Sequence, residues 1–232
     1  MEHPENQKVS NQVSAGSREQ SLFRKINKLS LIKLAVSCVL AVLLNILLTN
    51  FVMNFLKFPL FLDTVFTAAI TFSFGLIPGI IVAVFSWLLP CIYYKSINFF
   101  VLCSIAEVLL ICALKPAVLN IPAFTSKEKI IAIYTGIAAK LMLLYILCAV
   151  SISILGGLIN FLPHLFRETD VYYYGVADTF KPGLIASNLP ILAVNILSRI
   201  PINLVDRFIV IFGGFFVSRG LVKIISISQS PK

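Results

Sequence analysis

Charged residues are scarce in this chain. They make up 12% of its 232 residues, against 59% apolar, roughly half the usual share of about 25% for a soluble domain. So few charges cannot cover a water-exposed surface, which excludes an ordinary soluble fold and makes lipid the expected solvent. Histidine is nearly missing as well. Only His3 and His164 occur, which leaves little to build a metal-ligand cluster from. The five cysteines, Cys38, Cys91, Cys103, Cys112 and Cys148, contain no Cys-x-x-Cys pair. Each lies in an apolar run, where a small polarizable packing residue is the simplest reading. Phosphate loops of the Walker type, His-Glu-x-x-His and Gly-x-Ser-x-Gly are all lacking. The chain itself therefore offers no route to ATP hydrolysis or to familiar hydrolase chemistry. No catalytic residue, cofactor or metal is expected, and the chain reads as a non-enzyme.

What charge there is carries an excess of basic residues, with a formal value of +9. Nucleic acid is not the expected partner, because sequence reading needs a folded basic module. The basic residues gather instead in the N-terminal end and between apolar runs, as juxtamembrane charges do. Residues 1–28 have no apolar period and read as a disordered tail. The first apolar run is too long for the core of a cleavable leader and is expected to stay in the membrane.

A membrane crossing needs about 20 mostly apolar residues. Runs that meet or approach this lie at 31–53, 62–76, 79–94, 98–114, 130–155 and 204–225. The expected fold is an all-α integral membrane protein of about six transmembrane helices with short loops. Its membrane domain covers 29–225, followed by a short tail at 226–232. Gly75, Pro78 and Gly79 divide the second span from the third, and Gly156-Gly157 is expected to end the fifth. Residues 184–199 read as a partly embedded or re-entrant helix. With six crossings, twelve of the 19 basic residues fall on the side of the two termini and five on the other. The positive-inside rule then predicts a multi-pass protein of the cell membrane with both termini cytoplasmic.

Ionizable groups inside spans are costly, at about 2.5–3.5 kcal/mol each on insertion scales. Glu107 and Lys140 lie near the middle of consecutive spans and are expected to pair. Asp63 begins the second span, where helix capping is the favoured reading. Asn203, Asp206 and Arg207 begin the last span. Six crossings would place Asp63, Asp206 and Arg207 at one outer mouth, beside the polar connection at 157–183. That connection contains Tyr172, Tyr173, Tyr174 and Asp178, an aromatic belt at headgroup depth or a lid over a ligand. Small residues four apart permit close helix approach: Ser37 with Ala41, Gly75 with Gly79 and Ala83, and Ala132 with Gly136.

Several stretches resemble one family. They are Phe58-Pro59-Leu60-Phe61-Leu62-Asp63-Thr64 leading to Thr67-Ala68-Ala69, and Phe74-Gly75-Leu76-Ile77-Pro78-Gly79. With them come Ile200-Pro201-Ile202-Asn203-Leu204-Val205-Asp206-Arg207-Phe208-Ile209-Val210 and Ser218-Arg219-Gly220-Leu221. Together with the six-span plan, these look like the substrate-binding membrane subunits (S components) of energy-coupling-factor transporters, over about residues 31–225. The first-span motif Ala-x-x-x-Ala of that family stands here as Ser37-x-x-x-Ala41.

The resemblance implies capture of a vitamin-like micronutrient at the outer face. Asp63, Tyr172, Tyr173, Tyr174, Asp178, Asn203, Asp206 and Arg207 would serve as binding residues. It also implies docking, through Ser37 and Ala41, on a membrane coupling subunit attached to two ATPase subunits. Two other readings stand beside it. The Leu62-Asp63-Thr64 stretch with the glycine–proline break also resembles multi-span sensory modules, which suggests a stand-alone sensor; the other is a structural or accessory membrane protein.

Overall fold

The computed structural model describes residues 31–119, 127–166 and 180–227, and every regular element among them is helical. The chain divides into two compact units, Met1–Val39 and Leu40–Lys232. Of the first unit, residues 31–39 are described, and they are helical.

Helix α1 (Leu31–Phe55) ends in a π-helical turn at Phe51–Phe55. After it come α2 (Val65–Phe74), α3 (Leu76–Tyr94), α4 (Val101–Leu119) and α5 (Lys127–Phe166). The short α6 (Lys181–Ala186) and α7 (Ile191–Leu197) then lead into α8 (Ile200–Ile227). Four stretches are long and apolar enough to cross a membrane: Leu31–Phe55, Leu76–Tyr94, Ile131–Leu162 and Ile191–Leu221. Val65–Phe74 and Val101–Leu114 are apolar but shorter. Large apolar side chains such as Leu47, Ile77 and Phe216 are about two-thirds exposed or more. A surface of this kind suits hydrocarbon and would be a liability in water.

The interior is built around α2. Val65 and every residue from Thr67 to Phe72 are buried, so this helix is enclosed nearly all round, as a helix without a polar face must be. It packs against α8, α3 and α4, while α5 packs against α4, α7 and α8. Val65, Ala68, Phe72, Ile111, Leu144, Cys148, Val210, Ile211 and Phe215 share one apolar core.

A single residue breaks α2 from α3. Gly75 adopts φ 95°, open to glycine and rarely to other residues. Pro78 falls in the first turn of α3, where its missing N–H costs no helical bond.

Three expected boundaries are corrected. Gly156-Gly157 does not end the fifth span, because α5 continues to Phe166. The glycines form a notch instead. A Cβ on Gly156 would lie 2.8 Å from Nη1 of Arg199, and one on Gly157 would lie 2.8 Å from the Cα of Ile196. α4 runs past residue 114 to Leu119, and the last helix begins at Ile200 rather than 204. The 184–199 stretch contains two short helices, α6 and α7, rather than one.

Close approach also governs α8 and α2. A Cβ on Gly214 would meet the Ala68 Cβ at 2.7 Å and the Val65 carbonyl oxygen at 3.0 Å. Gly136, in contrast, has nothing within 4 Å of that position. Gly214→Val is therefore expected to lower stability by about 1–3 kcal/mol through overpacking. Gly136→Ala should cause no loss, and unfolding of the two variants in the same detergent makes the comparison.

Candidate functional site

Polar side chains from distant parts of the chain converge on the first turns of α8. Asp206 and Arg207 are neighbours in sequence, and both are buried. The Arg207 guanidinium is the hub. Its Nε donates to Oδ2 of Asp206 at 3.0 Å, and Nη2 donates to the same oxygen. Nη1 donates to Oγ1 of Thr64 at 2.8 Å and to Oε2 of Glu107. Nη2 also lies 3.4 Å from Oδ1 of Asp63. These five contacts match the five N–H donors of a guanidinium. Arg207 keeps no donor in reserve.

The acceptors are used almost as fully. Oδ1 of Asp206 receives the backbone N–H of Phe61 at 3.1 Å and of Leu62 at 2.9 Å. This clamps the connection before α2, in which Leu62 holds φ 43°, a left-handed conformation costly for a bulky residue. The Thr64 hydroxyl accepts from Arg207 and donates to Oε2 of Glu107 at 2.9 Å. The second Glu107 oxygen, Oε1, is buried without a hydrogen-bond partner. One guanidinium thus faces three carboxylates, of which only Asp63 is substantially exposed, at 47% of its side chain.

Two smaller polar clamps support this junction. Asn45 on α1 donates to Oγ1 of Thr67 at 2.9 Å and to Oγ of Ser86 at 3.1 Å. Its Oδ1 accepts the Phe66 N–H at 2.9 Å, so one buried carboxamide ties α1 to α2 and α3. Asn203 donates to Oγ of Ser153 at 2.9 Å and joins α8 to α5. Above it, the buried Arg199 stacks on the Phe100 ring at 4.8 Å, a cation–π contact.

Asp63, Asp206 and Arg207, expected at one mouth, do meet. Asn203 belongs to the neighbouring clamp with Ser153. The pairing expected of Glu107 is corrected: its carboxylate meets Arg207 and Thr64, while Lys140 lies on an exposed face of α5. The burial cost of Glu107 is met by a cation already buried for Asp206, so α5 need not supply one. Asp63 does not cap α2 either. The N-cap position is Thr64, with no side-chain capping bond, and Asp63 turns to Arg207. Tyr172, Tyr173, Tyr174 and Asp178 lie outside the described residues. Ala41 is buried by the chain itself and Ser37 is half-buried, so Ala41 offers little surface to a partner here.

The sequence reading missed Asn45, Thr64, Ser153 and Arg199 as interior groups. Asn45 carried a usable signal as a carboxamide in the middle of an apolar run. Among the described residues, no group of three or more His, Cys, Asp or Glu side chains is arranged to hold a metal. Comparison with known protein families, with characterised proteins and with solved structures finds no match.

Removing the hub strands two buried carboxylates. Arg207→Met is expected to cost about 3–5 kcal/mol, as breaking a buried ion pair does. Glu107→Gln keeps an acceptor for Thr64 and Arg207 and should cost clearly less. Lys140→Met should stay within about 0.5 kcal/mol, as exposed substitutions do. Unfolding in one detergent ranks the three.

Proposed function

We propose that this chain is the substrate-capturing membrane subunit of an ATP-driven uptake transporter for a vitamin-like micronutrient. Separate coupling and ATPase subunits would supply the energy. One observation carries the reading. The two stretches that resemble S components, around Asp63-Thr64 and Asp206-Arg207, lie 143 and 144 positions apart where they bond, and they join directly. Ionizable groups held inside an apolar bundle are costly and mark function by default.

The topology that goes with this reading has six crossings. Four are the long apolar helices, and the shorter α2 and α4 make up the number. Twelve basic residues then lie on the cytoplasmic side with both termini, and five lie outside. Asp63 is the member of the junction that a substrate reaches first, because its side chain is half exposed while Asp206 and Arg207 are enclosed. Tyr172, Tyr173, Tyr174 and Asp178 belong to the outer connection in this scheme. Asn203, Asp206 and Arg207 form the wall beneath it. Ser37, rather than the buried Ala41, would be the part of the first-span motif that meets the coupling subunit.

A second reading draws on the same geometry. Every donor of Arg207 is committed within the chain, which favours a fastening role and a scaffold or sensor with no cargo. The two readings part on purification. Full-length protein extracted from its native membranes in mild detergent is expected to retain a small molecule and to bring down a coupling subunit with two ATPases, both identified by mass spectrometry. Protein that carries neither would contradict the transporter reading.

A further inference from the structure

Three carboxyl groups and one guanidinium meet at the start of α8, so with all four ionised the junction holds two more negative charges than positive ones. The three acids are not equally equipped to stay charged. Asp206 accepts four N–H bonds, two from Arg207 on Oδ2 and the Phe61 and Leu62 amides on Oδ1. Hydrogen bonds of this kind favour the ionised form, and Arg207 balances its charge at contact distance. Asp63 keeps 47% of its side chain exposed, where solvent can carry its charge.

Glu107 has neither provision. It is 1% exposed. Both of its donors, the Thr64 hydroxyl and Nη1 of Arg207, end on Oε2, and Oε1 is buried with no hydrogen-bond partner. A bare oxygen in an apolar interior costs more when it is charged than when it is neutral. Among the described residues, the titratable groups that act on Glu107 come from three directions. They are Asp63 in the connection before α2, Asp206 and Arg207 on α8, and Cys148 on α5, with Cys103 one turn before Glu107 on α4 itself. Arg207 is the one cation among them, and Asp206 already claims it.

We infer that the junction binds one proton, held on Oε1 of Glu107, so that this residue enters the bundle as a neutral carboxylic acid. A proton is the one positive charge small enough to reach an oxygen closed off from solvent. A metal ion is disfavoured, because no group of three or more His, Cys, Asp or Glu among the described residues is arranged to hold one. With the proton on Oε1, Oε2 becomes a carbonyl oxygen and keeps both of its donors. Asp206 and Arg207 are left as a balanced pair, and the remaining charge sits on Asp63 at the exposed edge. Loss of the proton returns a second negative charge to the interior. The fastening of α4 to α8 and to the start of α2 therefore weakens as pH rises far enough to strip it. This site goes beyond the capture reading and does not depend on it.

Infrared spectroscopy of the full-length protein, in a detergent free of ester groups, tests this at neutral pH. The parent should show the C=O stretch of a protonated carboxyl, and Glu107→Gln should lose that band. Raising the pH should remove the band from the parent. The thermal midpoint of the parent should fall over the same interval, and that of Glu107→Gln, which mimics the neutral acid, should not follow it. No protonated-carboxyl band at neutral pH, a band that Glu107→Gln leaves in place, or an equal fall in both midpoints would overturn the site. Should the variant fail to fold, isotope labelling of carboxyl groups in the parent decides the matter. The band must move with labelled glutamate; one that moves with labelled aspartate instead would overturn the assignment to Glu107. Retention of a cargo or of coupling subunits bears on the capture reading alone, so the two readings stand or fall separately.

Discussion

The guanidinium of Arg207 is the constraint on which the rest of this bundle depends. It is buried with Asp206 beside it, Glu107 across from it on α4, and Thr64 and Asp63 reaching in from the start of α2. In hydrocarbon such groups can be kept only when they answer one another. The register of three helices follows from that requirement. Sliding α8 by one turn against α2 would part Asp206 from the Phe61 and Leu62 amides and leave Leu62 in a left-handed conformation with nothing to hold it. The shortness of α2 becomes intelligible on the same terms. Its start is an anchored connection and its end is the sharp turn at Gly75.

Around this junction, glycine decides how near the helices come. Gly214 lets α8 lie against the backbone of α2, Gly79 meets Thr71, and Gly156-Gly157 receives Arg199 and Ile196. In lipid, apolar burial gives little drive to helix association, so close packing and polar clamps take its place. Asn45 and Asn203 are clamps of this kind. Each closes one carboxamide onto a hydroxyl of another helix.

Much of this was legible in the residues. Composition and run length identified lipid-length helices, and the scarcity of charge made Asp63, Glu107, Asp206 and Arg207 conspicuous. Partner choice was not legible. Glu107 and Lys140 sit at similar depth in consecutive spans, and that proximity suggested a pair. The face each residue presents depends on helix rotation, which neither depth nor adjacency specifies; Lys140 points outward and Arg207, 100 positions away from Glu107, takes its place. The Gly156-Gly157 pair misled for a related reason. A double glycine ends a helix in water by propensity, but here it continues within one because a neighbouring side chain occupies the space a Cβ would need.

The Arg207–Asp206 junction makes an unusual demand on a segment that is not helical. Amide-resolved hydrogen exchange on the unmodified protein in lipid nanodiscs tests it most directly. Phe61 and Leu62 should exchange as slowly as the buried amides of α2, because both N–H groups end on Asp206 inside the bundle. Exchange at the rate of a free connecting segment would mean that Asp206 does not hold the start of α2, and the account built on that anchorage would be wrong.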